Sequence, residues 1–203
     1  MLLGLQAMFL PFYVPAQKKL KVVIIGGGCA GIAAVTALSR YASDVEITII
    51  DPKENHIKVT HLHETFRYPL SDLIVPFTDI EKRFNCRHIC AAVTFDVSTL
   101  QQWQKDKCLN VNNEIVSFDY LLVATGASSK DDIHQEQVLS LSSFMKKAGS
   151  GLLNCLDLQS NEVESVITVV GGGATGIQFL FELQQFLCRK NTNFRLRLIH
   201  SGE

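Results

Sequence analysis

"VVIIGGGCAGIAAVTAL", residues 22–38, decides the fold. An apolar run ends in three glycines, and small and apolar residues then recur at helical spacing. That order reads as strand, tight turn and helix. The turn, Gly26-Gly27-Gly28-Cys29-Ala30-Gly31, fits the spacing G-x-G-x-x-G. Gly26 permits a sharp turn off the strand, Gly28 lets a pyrophosphate approach the backbone, and Gly31 lets the helix lie close to the strand. The helix N-terminus adds free N–H groups and about half a positive charge.

The surroundings give this short motif its weight. "LKVVII", 20–25, is short, apolar and β-branched, as a buried strand is. A helix is expected over 29–41, and "DVEITIID", 44–51, reads as a second strand. Together they form a β-α-β unit, so a parallel sheet with a right-handed crossover follows. Asp51 closes the second strand about 20 residues after Gly31, where a carboxylate accepts hydrogen bonds from both ribose hydroxyls. The turn therefore reads as a dinucleotide site, with Gly27, Cys29 and Ala30 completing the loop around the phosphates. Lys53, just past Asp51, reads equally as a contact to the adenosine ribose or as an ordinary surface lysine.

The same device returns in "ITVVGGGATGIQFLFEL", residues 167–183. Gly171, Gly173, Thr175 and Gly176 repeat the turn. Strands are expected at 166–170 and 194–199, with a helix over about 174–190. His200, rather than an acid, stands at the end of the second strand. An acid there repels a 2′-phosphate and selects NADH; His200 does not, and no arginine follows to attract one. A dehydrogenase of the single-turn kind uses one such site. Two imply two dinucleotides, FAD at one and NAD(P)H at the other.

Composition narrows the partners. The 203 residues carry 19 basic and 20 acidic side chains for a net charge of −1, which gives no electrostatic footprint for nucleic acid. Cys29, Cys86, Cys90, Cys108, Cys155 and Cys188 form no C-x-x-C pair and no zinc spacing, as in a reduced, cytoplasmic protein. The apolar opening, residues 1–19, lacks a basic n-region and a clear cleavage site. Gln6, Pro11 and Pro15 spoil a spanning helix, which needs about 20 apolar residues. Contact with a membrane surface, packing on a missing part of the protein and a disordered extension all remain readings of it.

Between the two turns the pattern is mixed. Residues 52–85 read as irregular, with one or two short helices and Ser71 or Asp72 capping one before "LIV". "NHIKVTHLHE", with His56, His61 and His63, invites a metal reading, though a histidine-bearing loop near a cofactor or a solvated surface fits better. "HICAAVTFDV", 88–97, reads as a strand. Residues 108–126 read as a hairpin turning at Asn112–Asn113, followed by an apolar strand over 120–124. "ASSKDDIHQEQ", 127–137, is polar and without period, and a helix is expected near 141–156.

With the two turns in place, "FDYLLVATGA", 118–127, completes a resemblance. Over residues 20–203 the chain resembles the flavoproteins with two dinucleotide-binding domains, the pyridine nucleotide-disulfide oxidoreductase superfamily. The resemblance implies an α/β fold: a Rossmann-like FAD-binding domain over 20–130, a linker at 131–145, and part of a second Rossmann-like domain for NAD(P)H over 146–203. It puts Ala124, Thr125 and Gly126 where the chain leaves the first domain. The C-x-x-x-x-C pair of the disulfide reductases is missing from residues 52–75. That points to the branch resembling type II NADH dehydrogenases and apoptosis-inducing-factor-like proteins, which pass electrons from NAD(P)H through FAD to a quinone-like acceptor.

"GIQFLFEL" resembles that branch's helix G-x-E-x-x-x-E-L, with Gln178 in place of the first Glu and Glu182 matching the second. Both become candidate catalytic residues, although Gln178 hydrogen-bonds without carrying a proton. The resemblance also implies a membrane-peripheral place on the cytoplasmic side. The family's Gly-Asp element and C-terminal interface domain do not occur in this sequence. The expectation is an incomplete chain that lacks a C-terminal half, or a homodimer. A non-catalytic nucleotide-binding remnant is the rival reading. A sulfide:quinone-type enzyme using Cys155 is a third, although Cys155 in "GLLNCLDL" sits at the spacing of a core residue.

Overall fold

The computed structural model describes residues 19–42, 44–127, 138, 140, 164–190 and 193–201. The N-terminal extension, most of the linker, the expected helix at 141–156 and Cys155 lie outside them. The first β-α-β unit forms as its sequence requires: β1, Leu20–Ile25, then helix α1, Cys29–Tyr41, then β2, Val45–Asp51. β1 and β2 pair in parallel, with Val23 opposite Thr48 and Ile25 opposite Ile50. A small antiparallel ribbon follows, β3 at Asn55–Ile57 and β4 at Ile74–Pro76, with two 3₁₀ segments, Val59–Phe66 and Leu70–Leu73, between its strands. Helix α2, Phe77–Phe84, and β5, Arg87–Cys90, come next. Helix α3, Val97–Asp106, leads into the hairpin β6, Cys108–Val111, and β7, Glu114–Ser117, and then β8, Tyr120–Val123.

The main sheet has four strands in the order β5-β2-β1-β8. Each neighbouring pair is parallel. Both faces are covered, which is why β1 and β2 are apolar along almost their whole length. On one face Val22, Ile24, Val35, Ile47, Ile49, Phe77 and Ile80 join α1 and α2 to the sheet. On the other, Val23, Ile25, Ile50 and Ile89 pack with Leu109, Val111, Val116 and Phe118 of the hairpin region. The strand order reverses direction between β1 and β8, the place where open α/β sheets bind ligands.

The second unit repeats the first. β9, Ser165–Val170, helix α4, Ala174–Arg189, and β10, Phe194–Ile199, form a parallel pair crossed by one helix. Among the described residues β10 pairs only with β9. Val166, Val170 and Ile199 are exposed. α4 meets the first unit through Leu183, which is buried with Leu62, Phe66 and Leu73 of the 3₁₀ segments.

Two expectations need correction. The strand expected at 88–97 stops at Cys90, and Val97–Asp106 is a helix. Asp96 caps that helix, its Oδ1 accepting from the Thr99 N–H at 2.7 Å, which outweighs the β-leaning V-S-T that follows. Ser71 and Asp72 do not cap a helix running through "LIV": they lie inside the short 3₁₀ segment, and Ile74 and Val75 turn into β4 opposite Ile57 and His56. The helix starts only after Pro76, a residue preorganised to begin one. The hairpin turn falls at Asn112 and Asn113 as expected, with φ of 51° and 64°, the left-handed pair a two-residue turn demands.

Candidate functional site

The first glycine turn lies at the end of β1, between β2 and β8. The Gly26 N–H donates to Ile50 O at 2.8 Å and the Ala124 N–H to Ile25 O at 2.7 Å. Gly26 has φ of +106°, and a Cβ there collides with the Ala124 carbonyl. A Cβ on Gly27 meets the Phe77 ring, and one on Gly31 overlaps the Gly26 carbonyl oxygen. The fold itself demands these three glycines. Gly28 is different: its φ of −71° suits any residue, and a Cβ built on it meets nothing within 4 Å. Neither positive φ nor packing demands glycine here, although Gly28 also serves as the N-cap of α1.

Gly28, Cys29 and Ala30 are exposed at the mouth of α1. No acid stands in the first turn of the helix, and its first N–H groups have no side-chain cap among the described residues. Asp51 borders this mouth. Its Oδ2 accepts from the Gly27 N–H at 2.7 Å and its Oδ1 from the Lys53 N–H at 2.9 Å. Each oxygen retains a further lone pair for a hydroxyl donor. Lys53 enters the site through its backbone and is itself exposed. On the β8 side, Thr125 and Gly126 are exposed and Gly126 has φ of +72°. Sheet topology thus brings Gly26, Gly28, Gly31, Asp51 and Ala124-Thr125-Gly126 to one crevice.

The second turn has the same anatomy. Gly171 has φ of +118°, a Cβ on Gly176 overlaps the Gly171 carbonyl oxygen, and one on Gly173 meets nothing within 4 Å. His200 takes the place of Asp51: a Cβ on Gly172 lies 2.8 Å from the His200 Cβ. Gly171, Gly172, Gly173, Ile199 and His200 line an open cleft of about 460 Å³. Thr175 and Gln178 are exposed on α4, near its start. Glu182 lies one turn further and is buried, its Oε1 paired with Arg67 Nη2 at 2.8 Å.

Two residues about these turns, Phe77 and Arg67, escape sequence reading, and the partner of a third, His56, escapes it too. Phe77 fills the space beside Gly27 and stacks on His88 at 4.1 Å. Arg67 holds Glu182. His56 is buried, with Nδ1–H donating to the Gly27 carbonyl oxygen at 2.9 Å. Only His56 left a signal, the histidine-rich loop. His61 stacks on His63 and also contacts Thr60, and no metal-binding group of His, Cys, Asp or Glu occurs among the described residues. The described cysteines are all free thiols. Burial, then the Glu81 charge, pushes the Cys86 thiol above its usual value, away from reactivity.

Both glycine turns, and Ala124-Thr125-Gly126 just past β8, lie within residues 20–200, which the sequence pattern of the pyridine nucleotide-disulphide oxidoreductases matches. The chain belongs to the pyridine nucleotide-disulphide oxidoreductase family. A type II NADH:quinone oxidoreductase of Staphylococcus aureus (strain NCTC 8325 / PS 47) is 31% identical over 183 residues, covering 83% of this chain and 44% of that protein. The sulfide:quinone oxidoreductase of Aquifex aeolicus superimposes with a TM-score of 0.66 at 20% identity, over 90% of this chain and 43% of the other. NDH2 of Plasmodium falciparum, solved with NADH, gives 0.59 at 19% identity, over 92% and 42%. The chain thus spans less than half the length of these relatives. Among its described residues no helix is long and apolar enough to cross a membrane.

Proposed function

We propose that this chain holds FAD at the first turn and NAD(P)H at the second, as part of a flavoprotein that reduces a quinone or a similar small acceptor. The observation that carries the reading is the pair of open glycines. Gly28 and Gly173, the N-caps of their helices, have room for a side chain that the fold leaves empty, and a ligand can use that room. A dinucleotide pyrophosphate does so.

The chain's own groups have definite parts in this reading. The N–H groups at the start of α1 and of α4 bind phosphate oxygens. Asp51 accepts from the adenosine ribose hydroxyls through its remaining lone pairs. Ala124-Thr125-Gly126 forms the opposite wall of the crevice. At the second turn, Thr175 adds a hydroxyl beside the phosphates. His200 leaves NADH and NADPH less distinguished than an acid would. Gln178 orients by hydrogen bonding and holds no transferable proton. Glu182, engaged with Arg67, positions α4. Bound FAD supplies the two-electron chemistry between the reduced nicotinamide and the acceptor. A lipid-soluble acceptor agrees with a working place on the cytoplasmic face of a membrane, and the apolar composition of residues 1–16 suits contact with that surface.

Titration of the purified chain with FAD, followed by flavin fluorescence, tests the first site. Gly28→Val is expected to abolish the saturable binding that the parent shows. Equal affinity in the two proteins would refute the assignment.

A further inference from the structure

Gly27 is held from two sides. Its N–H donates to Asp51 and its carbonyl oxygen accepts from His56 Nδ1–H at 2.9 Å. A carbonyl only accepts, so the proton in this bond belongs to Nδ1. His56 is 8% exposed. The ribbon places it under the turn: His56 pairs with Val75, and the Phe77 N–H closes the ribbon onto Glu54 O at 3.0 Å.

The peptide between Gly27 and Gly28 is planar and trans, so its C=O and its N–H point in opposite directions. With the oxygen tied inward to a buried imidazole, the Gly28 N–H is directed outward, at an exposed residue with nothing within 4 Å of its Cβ position. A hydrogen bond to the carbonyl oxygen also polarises the amide and strengthens its N–H as a donor.

We propose that His56 is a positioning residue for the dinucleotide site, aiming the Gly28 N–H at a phosphate through the peptide that carries it. The proposal rests on the reading of the first turn as the FAD site. It gives the histidine-bearing loop a role that needs no metal.

The test compares three variants of the full chain. His56→Phe fills the volume without a donor, His56→Asn keeps a donor at the Nδ1 position, and His56→Gln places one a bond further out. FAD affinity is measured by flavin fluorescence, and the Gly28 amide is followed by ¹H–¹⁵N NMR without nucleotide. His56→Phe is expected to bind FAD roughly tenfold more weakly, the scale of one lost hydrogen bond, and to shift the Gly28 amide. His56→Asn should recover most of the affinity and His56→Gln should not. Parent-like FAD binding in His56→Phe would overturn the proposal. Should that variant fail to fold, equal affinities in the Asn and Gln variants would overturn it instead. Gly28→Val separates the two ideas. A parent that binds no FAD, or a Gly28→Val that binds as well as the parent, sinks the site and this proposal together. Binding lost in Gly28→Val and unchanged in His56→Phe sinks only the role of His56.

Discussion

Gly28 and Gly31 stand three residues apart in the same motif and answer to different demands. Gly31 serves the fold, because its Cβ would occupy the place of the Gly26 carbonyl oxygen; Gly28 faces open space. Gly31→Val is therefore expected to cost more than about 4 kcal/mol, the range of severe steric substitutions. Gly28→Val should cost no more than about 1 kcal/mol, the loss of a good N-cap. Urea unfolding without nucleotide compares the two, and similar losses would show that the division is wrong. The G-x-G-x-x-G spacing and Asp51 are legible in sequence because each makes its contribution locally or at a fixed offset. The roles of His56 and Arg67 are not, because their partners are a backbone carbonyl and a carboxylate that only the folded chain brings near.

Helix α3 shows how one cap can decide an element. In "VSTLQQWQKD" only Leu100 and Trp103 mark an inward face, Trp103 packing partly buried against the core, and no residue of the helix is fully buried. The alternation that continues from β5 reads as more strand. Asp96 ends it, accepting from the Thr99 N–H and from the hydroxyls of Thr99 and Ser98. Lys107, with φ of 54°, closes the other end. Those hydrogen bonds, the Thr99 hydroxyl first, lower the Asp96 carboxyl from 3.8 to about 2. A depressed carboxyl stabilises the folded state above its unfolded value and loses that contribution as pH falls through the folded one. Asp96→Asn keeps a cap and removes the titration. The difference in urea midpoint between parent and Asp96→Asn is expected to be constant above pH 5 and to shrink from about pH 4 to 2. A difference independent of pH would show that the cap does not titrate as described. The hairpin was easier to read, since Asn112–Asn113 states its turn in the residues themselves.

At the scale of the molecule, the parallel pairing of β1 and β2 was legible from β-α-β succession, and the contact between α4 and the 3₁₀ segments was not. It joins Leu62, Phe66 and Leu73 to Leu183, residues remote in sequence with no shared period. The Arg67–Glu182 pair lies at this contact, with Glu182 Oε2 buried and without a partner. Losing Arg67 leaves a buried carboxylate unpaired, whereas replacing both partners removes the charge altogether. Arg67→Met is expected to destabilise the chain by about 2 kcal/mol, and Arg67→Met with Glu182→Met to return close to the parent. A double-mutant cycle in urea decides it: strictly additive losses would mean that the pair does not couple the two units.

The place of β8 in the main sheet has a consequence in time. β8 docks beside β1 with Val22 opposite Tyr120, and the Lys21 N–H is held by Asp119, 98 residues further on. A ribosome makes β1, α1 and β2 first, and the first glycine turn then has only one wall. The carbonyl of Ala124 that crowds Gly26 does not yet exist. The crevice comes into being only when β8 leaves the exit tunnel, so a nascent chain passes through a long interval in which the turn is made but the site is not.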